Sequence, residues 1–530
     1  MPTISKVLLR VLFIGAILIL PVAIFTAHVL LESNIHFGSR TDMAVFLIEK
    51  TLPKPFLHFT KKLINKYHKI VVWNDDIRQR SVWGYVDFHS IQGGESFHLM
   101  LATDPIDKIV RGHIEIFRIG YYGKSDRIKV WESGLVTVQE RKLYDSGGVI
   151  GPGWPSSLNN IPTTMWQSGY YTFDFVDLAD RRDADIAYIV VTPTDLDGDI
   201  LVKLNTNTYQ AYNTWGGANF YESLFTGAIT NMVSFNRPTR SEFFRWEYYY
   251  VLWLEHLASE LGLIVHYATD FDVHEDSKFT TKYPLLISVG HDEYWSKEEF
   301  THMYDRIFVH GKNTLFLGAN VAYKQIRFVD VDSTESISFE GRQMIFYSDN
   351  VDPITFKRGQ DPVLDQATLF AKDYRRSGIM LTGVSFQSGF QYDGNLSYPY
   401  YVALDPDAHP LFAETGYTLG SPIGNLVGHE WDNTDPSSKR NRYWNADVSQ
   451  IPFLPKDKLT ILFAGEAIDY KGKKGKAEAV YFESDVGSKV FSSGTIQWSW
   501  GLTKEGFRQD AFNQFNRNLI EHFLGDTKKI

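Results

Sequence analysis

The sequence predicts an α/β plus β fold that follows an N-terminal transmembrane helix. Three observations predict it: an uncharged apolar run at residues 11–31, short segments of alternating polarity between residues 81 and 185, and buried strands that alternate with helices from residue 186 onward. The first pattern is long enough to cross a bilayer, and the second is typical of a β-sandwich. The third predicts βαβ units and a parallel sheet.

The composition of the chain excludes several classes of protein. Its 530 residues suggest about three folding units at roughly 150 residues each, and 15% of them are aromatic, enough to fill large cores. The formal net charge of −10 argues against a nucleic-acid partner, because no basic surface would neutralise the phosphates. The chain contains no cysteine, which excludes disulfides, thiolate metal sites and a cysteine nucleophile.

Residues 1–32 are predicted to be a signal anchor. Lys6 and Arg10 precede the apolar run, and about 21 helical residues span roughly 30 Å, the thickness of the hydrocarbon layer. A cleaved signal peptide is the alternative, although its apolar core is usually only about 7–15 residues long. The basic flank predicts a single-pass membrane protein with a cytoplasmic N-terminus and an extracytoplasmic bulk. Residues 33–80 are then a juxtamembrane linker.

Residues 81–185 are predicted to form a β-sandwich-like domain. Alternating segments lie at residues 81–88, 96–102, 113–121 and 129–138, and turn-rich stretches such as residues 146–155 separate them. Evenly spaced short strands of this kind favour a sandwich or barrel. Such a fold does not by itself assign a function.

Residues 186–530 are predicted to form an α/β domain. The candidate strands are residues 186–191, 200–204, 263–268, 285–289, 314–317, 458–464 and 489–493, with helices at residues 245–261, 297–309 and 509–524. Gly262 stands where the first of these helices should end. The irregular, aromatic stretch at about residues 325–455 is predicted to be a β-rich insertion that covers the functional edge of the sheet.

Polar, aromatic and glycine residues follow four consecutive strands of the predicted sheet. These strand ends are residues 205–217, 269–274, 290–295 and 318–320. Ligands bind outside the carboxyl ends of parallel strands, so we expect an active site there. The sequence has no G-x-S-x-G, H-E-x-x-H, G-x-G-x-x-G or Walker A motif, which disfavours serine hydrolases, zincins, dinucleotide enzymes and P-loop enzymes.

The candidate residues at these strand ends also have purely structural interpretations. Tyr212 could pack at the edge of a core, and Asn320 could belong to a plain turn. Glu293 could lie at the start of a helix that Asp292 or Ser296 caps.

Six ordered motifs carry a family resemblance, at residues 118–123, 166–171, 210–217, 290–295, 428–432 and 494–501. In these motifs the chain resembles the large (β) subunit of N,N-dimethylformamidase, especially its C-terminal domain. The resemblance extends from about residue 110 to the C-terminus. It implies an α/β domain like that of glutamine amidotransferases but without their usual cysteine. It also implies a small amide substrate and either a small second subunit or a homo-oligomer.

The resemblance further implies a mononuclear Fe(III) site held by two tyrosines and one glutamate. Carried onto the matching motifs, the metal ligands are Tyr171, Tyr212 and Glu293, with Tyr170 and Tyr209 as the adjacent alternatives. Phenolate and carboxylate oxygens are hard donors that suit a hard trivalent ion.

Three further residues match the catalytic set of the family: His291, Asn320 and Glu430. Glu430 or His291 would move protons as general base and acid, and Asn320 would donate to a developing oxyanion. The sequence therefore predicts a membrane-anchored amidohydrolase that cleaves the C–N bond of a small amide.

Two other functions stay open from the sequence. In a carbohydrate-active or carbohydrate-binding envelope protein, Trp154, Trp166 and Trp215 would stack on sugars, and Glu293 with Asp270 would form a carboxylate pair. In a binding module without catalysis, the β-rich half would act and the α/β half would be a scaffold. Convergence of the proposed metal ligands on one point is the feature that favours the hydrolase.

Overall fold

A computed structural model describes residues 81–103, 109–141, 147–217, 219–221, 230–239, 241–329, 342–347, 352–353, 367, 377–389, 397–435, 458–469 and 472–525. The predicted signal anchor at residues 1–32 and the linker at residues 33–80 lie outside these ranges. Among the described residues, no helix combines the length and apolar character needed to span a bilayer.

Strands dominate the first part of the described chain. They are β1 (Val82–Val86), β2 (Ser90–Gln92), β3 (Ser96–Thr103), β4 (Ile109–Tyr122), β5 (Ser125–Glu132), β6 (Val136–Gln139), a short helix α1 (Gly147–Ile150), β7 (Leu158–Pro162), β8 (Gly169–Asp177) and β9 (Arg182–Thr192). One sheet has the order β1-β3-β7, and a second has the order β2-β9-β8-β4-β5 with β6 paired to β4.

The two sheets of this part pack face to face. Leu99 and Leu101 of the first sheet share a buried cluster with Ile114, Ile116 and Phe173 of the second. Alternate residues of a strand point to the same face, so the alternating segments of the sequence supply this common core.

Strand β9 corrects one assignment made from the sequence. Residues 186–191 do not begin the parallel sheet, because β9 pairs antiparallel with β8 and parallel with β2. Its side chains are buried on both faces: Ile189 and Val191 lie in the sandwich core, and Val190 lies in the core of the second part. A strand buried on both faces has the unbroken apolar pattern of a parallel strand, which explains the wrong assignment.

The second part of the chain alternates strands and helices. Its elements are β10 (Ile200–Leu204), α2 (Thr206–Tyr212), β11 (Met232–Ser234), α3 (Phe243–Trp246), α4 (Tyr248–Leu261), β12 (Val265–Thr269), α5 (Asp270–Glu275), α6 (Lys278–Thr281), β13 (Leu285–His291), β14 (Tyr294–Ser296), α7 (Lys297–Phe308), β15 (Asn313–Ala319), β16 (Lys324–Val329), β17 (Gln343–Ile345), α8 (Gly378–Thr382), β18 (Ser385–Gly389), β19 (Ser397–Val402), β20 (Pro422–Gly428), β21 (Glu430–Asn433), β22 (Thr460–Ile468), β23 (Lys474–Glu483), β24 (Lys489–Ser492), α9 (Trp500–Thr503) and α10 (Asp510–Leu524). Single 3-10 turns occur at Trp215–Gly217, Pro406–Ala408, Pro410–Phe412 and Ile496–Ser499.

A mixed nine-stranded sheet organises this part, in the order β12-β10-β13-β15-β24-β23-β22-β19-β20. The first five strands are parallel and the last four are antiparallel. The predicted parallel strand at residues 458–464 is therefore wrong, because β22 forms an antiparallel hairpin with β23. The predicted insertion also supplies two strands of this sheet, β19 and β20. The fold is thus β-rich, with mixed sheets and helices; the likeness to glutamine amidotransferases stays a prediction.

Local sequence signals explain where two of the three longest helices of the α/β region begin or end. Helix α4 ends at Gly262, whose φ of 65° favours glycine, as predicted. Helix α7 begins at Ser296, whose hydroxyl accepts from the backbone of Glu299 while the Glu299 side chain bonds back, which makes a capping box.

A buried ion pair joins the two parts of the chain. Both Nη atoms of Arg118, on β4, bond to the carboxylate of Glu255, on α4, at 3.1 and 2.7 Å. The same carboxylate accepts from the Tyr267 hydroxyl at 2.8 Å. A guanidinium that holds both oxygens of one carboxylate fixes orientation as well as distance.

Candidate functional site

A cluster of polar side chains lies at the carboxyl ends of β10, β13 and β15, where the sequence predicts a site. Helix α2 brings Tyr212, the end of β13 brings His291 and Glu293, and the turn after β15 brings Asn320. The fourth predicted strand end, after β12, enters a separate buried cluster described below. Three of the four ends thus meet, as expected for parallel strands that end at one edge.

Two glycines allow the strand ends to approach each other this closely. A Cβ on Gly318 would lie 2.1 Å from the Gly290 carbonyl oxygen. Gly290 itself has a φ of 85°, and a Cβ there would lie 2.6 Å from the Cβ of Trp246. These positions therefore require glycine, and Gly290 lets Trp246 pack closely against the end of β13.

Three oxygens of the cluster lie within hydrogen-bonding distance of one another. The Tyr212 hydroxyl is 2.7 Å from Oε2 of Glu293, and the Tyr221 hydroxyl is 2.9 Å from the same oxygen. The two hydroxyls are 2.7 Å apart. A third hydroxyl, from Tyr294, donates to that of Tyr221 at 2.8 Å. We call the Tyr212, Tyr221 and Glu293 oxygens the oxygen triangle.

A lysine supplies positive charge on one side of this triangle. Nζ of Lys324 is 2.9 Å from Oε1 of Glu293 and 2.7 Å from the Tyr221 hydroxyl. Burial opposes ionisation of Glu293, but Lys324 and His291 together hold the pKa of its carboxyl below the usual value. Glu293 is therefore an anion although its side chain is only 3% exposed.

The phenols of the site are neutral in the absence of a bound cation. Burial, and then the charge of Glu293, raises the pKa of Tyr212, Tyr221 and Tyr294 well above the ordinary value near 10. A phenolate would form here only beside a strong positive charge such as a metal ion.

His291 lies between three carboxylates. Its Nε2 is 3.3 Å from both Glu293 and Glu430, and its Nδ1 is 3.5 Å from Glu242. Burial disfavours the charged imidazole, but these carboxylates outweigh it and raise the pKa of His291 well above its ordinary value. The ring is therefore an imidazolium that can donate a proton.

Asn320 connects the site to the start of β21. Its Nδ2 donates to Oε2 of Glu430 at 3.0 Å, and its backbone N–H lies 3.0 Å from both oxygens of Asp432. Asn320 has a φ of 58° and His429, just before Glu430, has a φ of 59°. Such left-handed backbone in residues with side chains is uncommon and concentrates at functional sites.

Asp432 predicts a pH dependence of stability. Burial raises the pKa of its carboxyl to about 8, against the hydrogen bond from Asn320. The folded protein thus holds a proton that the unfolded chain releases near pH 4, so this group stabilises the fold below about pH 4 and loses that contribution as the pH rises to about 8. The slope is at most about 1.4 kcal/mol per pH unit.

We therefore expect Asp432→Asn to flatten the pH profile of the free energy of unfolding between pH 5 and pH 8. Urea denaturation of both proteins at several pH values measures it, because the other titrating groups are common to both. Parallel pH profiles for the two proteins would contradict the expectation.

Tyr171, expected from the resemblance to be a metal ligand, does not join the oxygen triangle. Its hydroxyl donates to the Gln167 carbonyl at 2.6 Å, and its ring stacks on Trp166 at 4.7 Å in the sandwich core. The adjacent alternatives do not join it either: the Tyr170 hydroxyl bonds to Ser241 at 2.7 Å, and the Tyr209 hydroxyl donates to Glu247 at 2.5 Å. The structure thus brings together Tyr212, Glu293, His291, Asn320 and Glu430, with Tyr221 as the second phenol.

The residues missed from the sequence are Tyr221, Lys324, Tyr294, Glu242 and Asp432. Tyr294 is part of the motif at residues 290–295, directly after Glu293, and that position could have indicated it. Tyr221 and Lys324 gave no such signal, since one follows α2 outside any periodic pattern and the other opens a short strand. Ser296, one of the two cap residues considered for the helix after Glu293, does cap α7, while the Glu293 side chain itself accepts from the phenols of the site.

A buried ionic cluster lies beside the site. Nζ of Lys203, on β10, contacts the carboxylates of Asp270, Asp292 and Glu299, and all four side chains are at most 1% exposed. Trp295 donates to Asp292 at 2.6 Å. Asp292 precedes Glu293 in the chain, so this cluster fixes the backbone that carries the Glu293 side chain.

Comparison with known families gives one match. The family model described as N,N-dimethylformamidase beta subunit-like, C-terminal, matches residues 113–513, well over half of the chain. A comparison with curated proteins found no match. The matched region contains every residue of the oxygen triangle and its polar neighbours. The chain therefore belongs to the N,N-dimethylformamidase beta subunit-like, C-terminal family.

Proposed function

We propose that this protein is an amidohydrolase that cleaves the C–N bond of a small linear amide at an iron site formed by Tyr212, Tyr221 and Glu293. Membership of the family suggests a hydrolase that acts on amides. The observation that carries the proposal is the oxygen triangle itself, which is partly buried and lies beside a protonated histidine. Tyr221 takes the place that the resemblance assigns to Tyr171.

The donor set of the triangle fits a ferric ion. Its three oxygens are separated by 2.7, 2.7 and 2.9 Å. An octahedral ion with bonds of about 2.0 Å holds adjacent ligands about 2.8 Å apart. All three donors are hard oxygens, as a hard trivalent ion prefers. Hydrogen-bonded phenols have the same separations, so a metal measurement decides between the two states.

The protein residues have clear roles in such a reaction. A bound ferric ion would supply Lewis-acid polarisation of the amide carbonyl. Within the described residues, Glu430 makes its contacts to Asn320 and His291 through Oε2, so Oε1 can accept a proton from an attacking water. His291, held as an imidazolium, can donate its Nε2 proton to the leaving nitrogen.

The exposure of the carboxylates indicates the side from which a substrate approaches the site. Glu430 and Glu242 are the more exposed members of the group, at 17% and 20% of the side chain, whereas Glu293 and His291 are buried. The substrate therefore approaches on the Glu430 side. Since the family description names a beta subunit, we also propose a partner subunit, and we retain the N-terminal signal anchor as a proposal.

The alternative of a carbohydrate-active protein gains little support. Asp270 cannot pair with Glu293 across an open groove, because its side chain is fully buried against Lys203. Trp154 is only 7% exposed and packs against Trp215, so it offers no open platform for a sugar. We therefore do not propose that function.

Two matched tyrosine variants test the iron site. Wild-type protein should contain about one iron per chain, show the charge-transfer colour of a ferric phenolate, and hydrolyse N,N-dimethylformamide or a related small amide. Tyr221→Phe should lose the colour and at least about tenfold of the bound iron, because it removes one of three ligands.

Tyr171→Phe is the control, and it should keep both colour and iron, since its hydroxyl bonds to Gln167. A colourless wild-type protein, free of iron after expression with added iron, would overturn the proposed site. Loss of colour in Tyr171→Phe alone would return the second ligand to Tyr171.

A further inference from the structure

Lys324 contacts both the oxygen triangle and a phenol outside it. It opens strand β16, which pairs with β14 in parallel so that Lys324 lies opposite Tyr294. Its backbone N–H donates to the Glu293 carbonyl oxygen at 2.9 Å. Its Nζ is 3.0 Å from the Tyr294 hydroxyl, in addition to its contacts with Glu293 and Tyr221. Backbone and side chain together hold Lys324 against the site.

The two oxygens of the Glu293 carboxylate face different groups. Oε2 faces the hydroxyls of Tyr212 and Tyr221, at 2.7 and 2.9 Å. Oε1 faces the ammonium of Lys324, at 2.9 Å. A carboxylate can bind a metal through one oxygen or through both. Here Oε1 is paired with the Lys324 ammonium, so only Oε2 faces the phenols.

Tyr294 is held outside the triangle by the same ammonium. Its hydroxyl contacts Lys324 and donates to Tyr221, and in the described part of the chain it makes no hydrogen bond to Glu293. Without the ammonium, only the Tyr221 hydroxyl would lie between the Tyr294 phenol and the other oxygens of the triangle. Lys324 thus holds two further oxygens that could bind a metal, Oε1 of Glu293 and the Tyr294 hydroxyl, apart from the three oxygens of the triangle.

We propose that Lys324 is a positioning residue that limits the metal ligands to three, by holding Oε1 of Glu293 and the hydroxyl of Tyr294 away from the ion. The ligand count matters because a catalytic metal site needs open positions for water and substrate. This inference rests on the proposed iron-dependent hydrolase.

Lys324→Met tests the inference, because methionine keeps an unbranched chain and removes the charge. The variant should keep about one iron per chain, since removing a positive charge favours a bound cation. Its charge-transfer band should shift as Oε1 or Tyr294 joins the ion, and its kcat should fall about 10- to 100-fold with less change in KM. Lys324→Arg should restore part of both properties. Lys124→Met, at an exposed lysine, is the control and should match the wild type.

The outcomes separate the inference from the proposed function. A wild-type protein without iron would overturn both the inference about Lys324 and the proposed function. If the wild type contains iron and Lys324→Met leaves the charge-transfer band and kcat unchanged, the inference is overturned but the proposed function is not. A folded variant that has lost its iron also overturns it, since Lys324 would then merely support the site. If Lys324→Met fails to fold, Lys324→Gln is measured in the same way.

Discussion

Glu293→Gln is expected to lose its iron and to reduce amide hydrolysis at least about 100-fold. Glu293 is the point at which the two phenols of the triangle, Lys324 and His291 meet. Glutamine has the same shape but no charge, so it is a poor ligand for a trivalent ion. It also leaves two buried cations without their common anion, and breaking a buried ion pair typically costs about 3–5 kcal/mol.

Three measurements check this expectation: iron content, the rate of hydrolysis, and the free energy of unfolding in urea. Glu298→Gln is the matched control, because Glu298 lies on helix α7 with half of its side chain exposed. It should bind iron and hydrolyse amides as the wild type does. A Glu293→Gln protein with normal iron and normal activity would remove Glu293 from the site.

Lys203→Met is expected to destabilise the fold by about 3–5 kcal/mol at pH 7. The substitution leaves Asp270, Asp292 and Glu299 buried side by side without the ammonium that they share. Since Asp292 precedes Glu293, the variant should also bind iron more weakly. Lys458→Met is the control: Lys458 pairs with Asp485 on the surface, where such a pair is worth less than about 1 kcal/mol.

The defect of Lys203→Met should diminish in acid. Burial already raises the pKa of Asp270 to about 6 in the wild type, and loss of the ammonium would raise it further. The folded variant then binds protons that the unfolded chain releases, so its stability relative to the wild type rises as the pH falls from 7 to 5. Urea denaturation at both pH values measures the difference. If the difference in the free energy of unfolding between the two proteins were larger at pH 5 than at pH 7, the buried carboxylates would not be the cause of the destabilisation.

The sequence could predict most of the site because its residues follow strand ends. The carboxyl ends of neighbouring parallel strands lie at one edge of the sheet, so His291, Glu293 and Asn320 could be placed together from the sequence alone. Tyr212 follows from the same rule, since the short helix after β10 turns it back over the edge. The convergence depends only on chain order and strand direction.

The sequence could not decide between Tyr170 and Tyr171. Every residue of β8 is buried, so no alternation of polarity marks which face of the strand meets which core. Tyr170 in fact faces the α/β side and Tyr171 faces the sandwich. Tyr221 could not be found, because its place in the site depends on how its segment folds back against Tyr212. The sequence also could not place Lys324 in the site, since a lysine at the start of a strand usually faces water.

Strand β9 has a practical consequence for anyone who wishes to divide this protein. A cut at residue 185 or 186 would pass through the strand and expose an apolar surface on each fragment. The half that retained the catalytic residues would keep Val190 but lose Tyr170 of β8 from its core, and the other half would lose Ile189 and Val191. Fragments made in this way would be prone to aggregation, so a minimal active version should begin before the first strand of the sandwich.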